Sequence, residues 1–270
     1  MLSKLCYAKI IITFLFLLFI RSAFCNVFAN DNELAGELLQ GKSPHLQFGL
    51  PSEPDLLLSR IGFAIGYSNK YRQPQWVSYV LYRDKLSGKK YKRHNKFEVD
   101  PAVLLNPVIP IDYTDTGFDR GHMAPAADMS FSLKTLRHSF FMSNISPQMP
   151  GCNRGIWKRL ENRIRWYVLR HNDIYIVTGP IFYAEPERLE KSKIPIPAAF
   201  YKILFDFKSF RMIGFIISNS PSKKTLKKFA VPVDEIEKQT GLDFFSELSP
   251  YLEYYLEKKI NYNMWFPEEK

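Results

Sequence analysis

Three short segments hold residue types that together can break a phosphodiester. They are Asp119-Arg120-Gly121-His122-Met123-Ala124-Pro125, Ser143-Asn144-Ile145-Ser146-Pro147-Gln148, and Asn153-Arg154-Gly155-Ile156-Trp157-Lys158-Arg159-Leu160-Glu161. A neutral imidazole accepts a proton near neutral pH, since its unperturbed pKa is about 6.5. A water attacking phosphorus needs such a base. A guanidinium makes paired hydrogen bonds to phosphate oxygens. An amide oxygen and a carboxylate are ligands for a hard divalent cation. Any one element is weak evidence; the order and spacing of all three carry the argument.

His122 is the candidate base. It follows Gly121 and lies just before Pro125, so a strand edge or loop is expected there. His45, His94, His138 and His171 lack comparable neighbours and read as ordinary core or surface side chains. Arg120 is the candidate phosphate cation. Arg93, in Lys92-Arg93-His94-Asn95-Lys96-Phe97, is a second, although such a charge run also reads as a solvated face.

Asn153 has two readings. It is a good N-cap type for the helix that follows. It is also a neutral oxygen ligand for Mg²⁺, which keeps several waters and takes few protein ligands. Glu161 comes eight residues later, about 12 Å along a helix, too far for both to touch one ion directly. Helical side chains lean toward the N-terminus, so Glu161 could hold a water on that ion. The alternative is a surface ion pair with Arg165 at i+4.

Several elements must position these residues. Gln75–Tyr82, Ile174–Thr178, Phe200–Phe205 and Met212–Ile217 are rich in aromatic and β-branched residues and read as strands. Ile156, Trp157, Leu160, Ile164, Tyr167 and Val168 recur at three- and four-residue spacing and read as one helix after Asn153. Val233–Gln239 reads as a short helix stopped near Gly241, and Phe244–Lys259 as a further one. Strands and helices do not alternate regularly, which favours an α+β domain.

The 270-residue chain suffices for one domain with a substantial core, and 46% hydrophobic residues exclude a disordered composition. The net charge of +10 favours a polyanionic partner, either nucleic acid or an anionic membrane. Lys4 and Lys9 precede the apolar run Ile10–Ile20, and Ser22-Ala23-Phe24-Cys25 follows. That run is short for a bilayer span but suits a secretory leader, residues 1–25, with cleavage as late as residue 29. An uncleaved membrane anchor is the alternative. Loss of Lys4, Lys9 and Arg21 takes the charge from +10 to +7. Cys152 is then left without a disulfide partner and reads as a small buried side chain. Residues 30–44 form a polar arm, and 45–265 the folded domain.

The three motifs, followed by Val177-Thr178-Gly179-Pro180, resemble the DNA/RNA non-specific endonuclease family, which includes endonuclease G. The resemblance runs from Gly49-Leu50-Pro51 to the segment Glu237 to Phe245. It implies a ββα-metal (His-Me finger) fold on a mixed sheet. His122 would be the general base, Asn153 the direct Mg²⁺ ligand, and Glu161 the holder of a metal-bound water. Mn²⁺ could substitute. Arg120 would bind phosphate or stabilise its transition state. Arg93 matches an upstream family arginine by the pattern Arg-x-x-x-Phe. Asp119 and Asn144 would be supporting residues. The expected function is a secreted or periplasmic Mg²⁺-dependent endonuclease on DNA and RNA, leaving 5′-phosphates. A protein inhibitor and a homodimer are compatible partners. The rival readings are a phosphodiesterase on another substrate and an inactive nucleic-acid-binding homologue.

Overall fold

Aromatic and β-branched runs build the central layer. A computed structural model describes residues 43–267. The expected leader (1–25) and all but the end of the expected polar arm lie outside the described residues. The strands are β1 (Leu56–Ser59), β2 (Ala64–Ser68), β3 (Gln73–Leu81), β4 (Asp119–His122), β5 (Ile145–Gln148), β6 (Ile174–Ile181), β7 (Ala199–Asp206), β8 (Arg211–Ser218) and β9 (Ala230–Val231). The helices are α1 (Arg83–Ser87), α2 (Leu133–Ser139), α3 (Lys158–Arg170), α4 (Val233–Thr240), α5 (Pro250–Glu257) and α6 (Tyr262–Trp265).

The main sheet has the order β1-β2-β3-β6-β7-β8-β9, and β4 pairs with β5 in a separate ribbon. The α+β class is as expected. The sheet is antiparallel at every pairing rather than mixed. Most neighbours are joined by hairpins, and the long excursion between β3 and β6 returns antiparallel.

Both faces of the sheet are covered, which is why its strands read as near-continuous apolar runs. Val77, Tyr79, Ile176, Phe200, Leu204, Ile213 and Phe215 face one core with Leu160, Ile164 and Tyr167 of α3. Trp76, Tyr175, Val177, Tyr201, Ile203 and Phe205 face the other, with Ile236 of α4 and Leu256 of α5. Burying a side chain such as Leu160 or Ile164 contributes about 1.5–3 kcal/mol, so α3 is fixed firmly on the sheet.

Two boundaries matter. Gly241 ends α4 with a left-handed φ of 71°, and its N–H donates to Glu237 O at 2.7 Å. This is the expected stop, because a residue with a Cβ resists that conformation. The helix expected over Phe244–Lys259 is shorter, Pro250–Glu257. Phe245 has a φ of +61°, and Phe244 and Phe245 are buried in the second core instead. Core burial outweighs helical periodicity there, and Pro250 sets the start.

Candidate active site

The ribbon β4–β5 and helix α3 form a ββα unit that carries the three motifs. Asp119 pairs with Gln148, Gly121 with Ser146 and His122 with Ile145. A Cβ on Gly121 would sit 2.5 Å from Gln148 Oε1 and 2.7 Å from Gln148 Cβ. Only glycine lets the strands approach this closely. Such a short ribbon is marginal alone, so its ends are tied down. Asn144 is fully buried; its Oδ1 accepts Ala124 N–H at 2.9 Å. Its Nδ2 donates to Ala124 O at 3.0 Å and Ser139 O at 2.9 Å. Asn144 therefore fixes the chain just after His122 and does not line the cleft, in keeping with a supporting role.

Asn153 is not the N-cap. The helix starts upstream, and Asn153 lies in a π-turn, Cys152–Trp157, where Gly155 leaves helical conformation at φ −101°, ψ −109°. Its amide has another task. Nδ2 donates to Asp119 Oδ2 at 2.8 Å. A carboxylate can only accept, so the contact orients the amide and leaves Oδ1 without a protein partner. Arg154 donates to the same carboxylate at 2.8 and 2.5 Å. Burial opposes the Asp119 charge, but the hydrogen bonds from Arg154 and Asn153 hold its carboxyl below the ordinary range.

A cleft of about 550 Å³ brings together Arg93, Asp119, Arg120, His122, Asn153 and Glu161. His122 is half-buried, and its Nε2 is sealed without a hydrogen-bond partner, which leaves Nδ1 as the nitrogen a ligand can use. Phe140 packs edge-on to the imidazole at 4.9 Å and Phe97 lies at 5.4 Å. Burial, then the Arg93 charge, lower its pKa to about 3. The imidazole is thus far from the unperturbed value expected of it and stays neutral throughout the physiological range.

Arg120 donates to Pro110 O at 2.7 and 3.3 Å and lies 5.3 Å from the Phe97 ring centre. It is held at the cleft rather than swinging freely. Arg93 is exposed, packs over Phe140 at 5.5 Å, and spends only Nε, on Asn95 at 3.1 Å. Its terminal nitrogens are left for a phosphate, so the solvated-face reading gives way to a cleft residue.

Glu161 is 15% exposed and lies 4.0 Å from Arg165, so the pair is neither superficial nor tight. Arg165 instead bonds Asp128 at 2.7 Å, and Tyr79 donates to the same carboxylate at 3.1 Å. Burial pushes Glu161 up to about 6, with Lys202 and Arg165 pulling the other way. Lys202 was not anticipated. It is fully buried on β7, its Nζ has no hydrogen-bond partner, and it sits 4.8 Å from the Trp157 ring centre. Burial lowers its pKa to about 8, opposed by Glu161 and Asp128. The visible signal is a cation between Phe200 and Leu204 on the core-facing side of a strand. Asp128 gave no such signal.

The donors present fit a hard cation. Asn153 Oδ1 is free and oriented, Glu161 is an under-compensated carboxylate, and both are oxygen donors. Cys152, the nearest sulfur in sequence, is buried and free of any disulfide.

A β-ribbon and helix presenting this neutral imidazole, oriented amide and carboxylate define a ββα-metal nuclease fold. The sequence profile of DNA/RNA non-specific endonucleases matches residues 41–250, and the chain belongs to that family of metal-dependent endonucleases. It is 33% identical over 222 residues to Nuclease C1 of Cunninghamella echinulata var. echinulata, covering 75% of this chain and 88% of that one. It is 30% identical over 236 residues to the mitochondrial nuclease EXOG of Xenopus laevis, covering 81% of this chain but only 66% of that one. The fold superposes on EndoG solved in complex with EndoGI, with a TM-score of 0.71 and 25% identity, over 76% of this chain and 91% of that one.

Proposed function

We propose that this protein is a secreted, Mg²⁺-dependent endonuclease that hydrolyses both DNA and RNA without regard to sequence. The observation that carries this is the Asp119–Asn153 contact, which presents an amide oxygen to the same cleft as His122 and Glu161. Asn153 would hold the ion directly, and Glu161 through water. When bound, the ion would stabilise charge developing on the phosphate and on the leaving 3′ oxygen.

The protein's own groups do the rest. His122 Nδ1 takes a proton from the water that attacks phosphorus in line. Nε2 is sealed in the Phe97–Phe140 wall, so the ring has one working face. Arg93 and Arg120 neutralise the scissile phosphate. Backbone contacts of this kind carry no base information, which supports sequence non-specificity. None of these residues reads a 2′-hydroxyl, which supports action on both DNA and RNA. Secretion is supported by the leader pattern of residues 1–25. The EndoG–EndoGI complex makes a protein inhibitor a reasonable partner.

The test is digestion of supercoiled DNA, structured RNA and bis-nitrophenyl phosphate with Mg²⁺ or EDTA, alongside Asn153→Ala. Mg²⁺-dependent cleavage of both nucleic acids, lost at low Mg²⁺ in Asn153→Ala, is expected. Cleavage of the small diester alone would reject the nuclease reading.

A further inference from the structure

A second set of oxygen donors lies on the other side of the sheet from α3. Asp234 and Glu237 are one turn apart on α4, and Glu257 is the last residue of α5. Each offers a carboxylate oxygen, and the three lie within 4.8 Å of one another. Glu257 is only 5% exposed, and its Oε1 is buried with no hydrogen-bond partner. Glu237 accepts Phe244 N–H at 2.8 Å, which fixes its carboxylate against the loop after α4.

This arrangement is costly if empty. A buried carboxylate needs a proton, a paired cation or a metal. Glu253 and Asp243 add further negative charge around the same point. The C-terminal end of α5 adds a negative helix dipole at the same place. Such a concentration of negative charge is unusual in a chain of net charge +10.

We propose that Asp234, Glu237 and Glu257 form a structural site for one calcium-sized divalent cation, clamping α4 to the end of α5. Calcium binds oxygen at about 2.3–2.6 Å, so opposite ligands can stand about 4.6–5.2 Å apart. Magnesium, at about 2.0–2.1 Å, spans only about 4.2 Å. Donors within 4.8 Å of one another admit either span, but three protein carboxylates at one point favour calcium, because magnesium dehydrates reluctantly and is usually held by one or two carboxylates. Asp234 and Glu237 are half-buried and leave a way in for the ion and its remaining water ligands. The site is separate from the nuclease cleft, and its ion has no part in the reaction proposed above.

The experiment is thermal melting of chelator-stripped full-length protein with added Ca²⁺ or Mg²⁺. It is run on the wild type and on Asn153→Ala, which removes the proposed catalytic ligand and isolates the second site. At about a hundredfold excess over Kd, Ca²⁺ should raise Tm by about 5–10 °C in both. Mg²⁺ should do markedly less. The Ca²⁺ shift should disappear in Glu257→Gln and in Asp234→Asn, the second variant guarding against a folding defect at the buried position. Equilibrium dialysis of Asn153→Ala with Ca²⁺ should give one ion per chain, lost in either variant. No Tm response in the wild type, or an equal response in Asp234→Asn, would overturn the proposal and leave the cluster holding protons.

Discussion

Asp119→Ala should weaken metal binding without touching the base. The carboxylate is 14% exposed and accepts from Asn153 Nδ2 at 2.8 Å and from Arg154 at 2.8 and 2.5 Å. Arg154 is 73% exposed, so solvent screens its pair with Asp119 and the pair contributes little. The bond to Asn153 is charge-assisted and largely shielded, worth about 1.5–3 kcal/mol. That energy fixes the orientation of the Asn153 amide at the cleft. Losing it should raise the Mg²⁺ concentration for half-maximal rate by about 10- to 100-fold, the usual effect of removing an outer-shell partner. The rate at saturating Mg²⁺ should stay close to wild type, because His122 and the arginines keep their places. Asp119→Asn can still accept from Asn153 and should shift the midpoint less. Arg154→Ala should shift it by no more than about fivefold. The assay is initial rate on plasmid DNA across a Mg²⁺ titration. If Asp119→Ala lowers the saturated rate and leaves the midpoint unmoved, Asp119 does not act through Asn153.

The other expectations can be checked with the same substrate. His122→Ala should lower kcat by about 10²- to 10⁴-fold while filter-retained DNA binding survives; more than a tenth of wild-type rate would remove His122 from the mechanism. His122 is neutral down to about pH 3, so the acid limb of kcat/KM should follow Glu161 losing its proton near pH 6. Glu161→Gln should flatten that limb; a limb unchanged in this variant would mean another group titrates there. Lys202→Met replaces an unpartnered buried ammonium with an apolar chain of similar length, so Tm should hold or rise. It also removes a charge that lowers the Glu161 pKa, so the acid limb should move to higher pH, and a limb fixed in place would deny the coupling. Finally, cleavage at limiting substrate should fall linearly on a log–log salt plot, since the proposed contacts are to phosphates; a flat profile would argue against them.

The residues that the cleft brings together were legible because their types are rare together and their order is fixed by the ribbon. Strands β3, β6, β7 and β8 were legible because aromatic and β-branched runs buried on both faces leave little ambiguity. Helix α4 was legible from its periodicity and Gly241. The local surroundings of the site were less so. Asn153 has the same side chain whether it caps a helix or lines a cleft, and only the fold shows that the helix begins before it and that its amide donates to Asp119. The histidine's neutrality comes from Phe97, Phe140 and Arg93, whose packing depends on the tertiary fold. Phe244 and Phe245 read as part of a helix because their apolar character is equally at home in a core-filling turn.

The cleft sets two demands against each other, and the geometry shows how they coexist. Drawing in a polyanion requires cations, and Arg93, Arg120 and Lys158 supply them. The same positive field resists protonation of the base, as the Arg93 effect on His122 shows. A base held near pKa 3 is always ready to accept a proton but has little driving force to do so. A phosphate seated on Arg93 cancels much of that charge. On the proposed function the imidazole would then become more basic with a scissile group in place, burial remaining the larger cause of its low value. The larger cause, burial against Phe97 and Phe140, keeps Nε2 away from bulk water and leaves Nδ1 as the nitrogen open to a proton. On the proposed function, Arg93 would do more than bind substrate: its charge would couple the basicity of His122 to occupancy of the cleft.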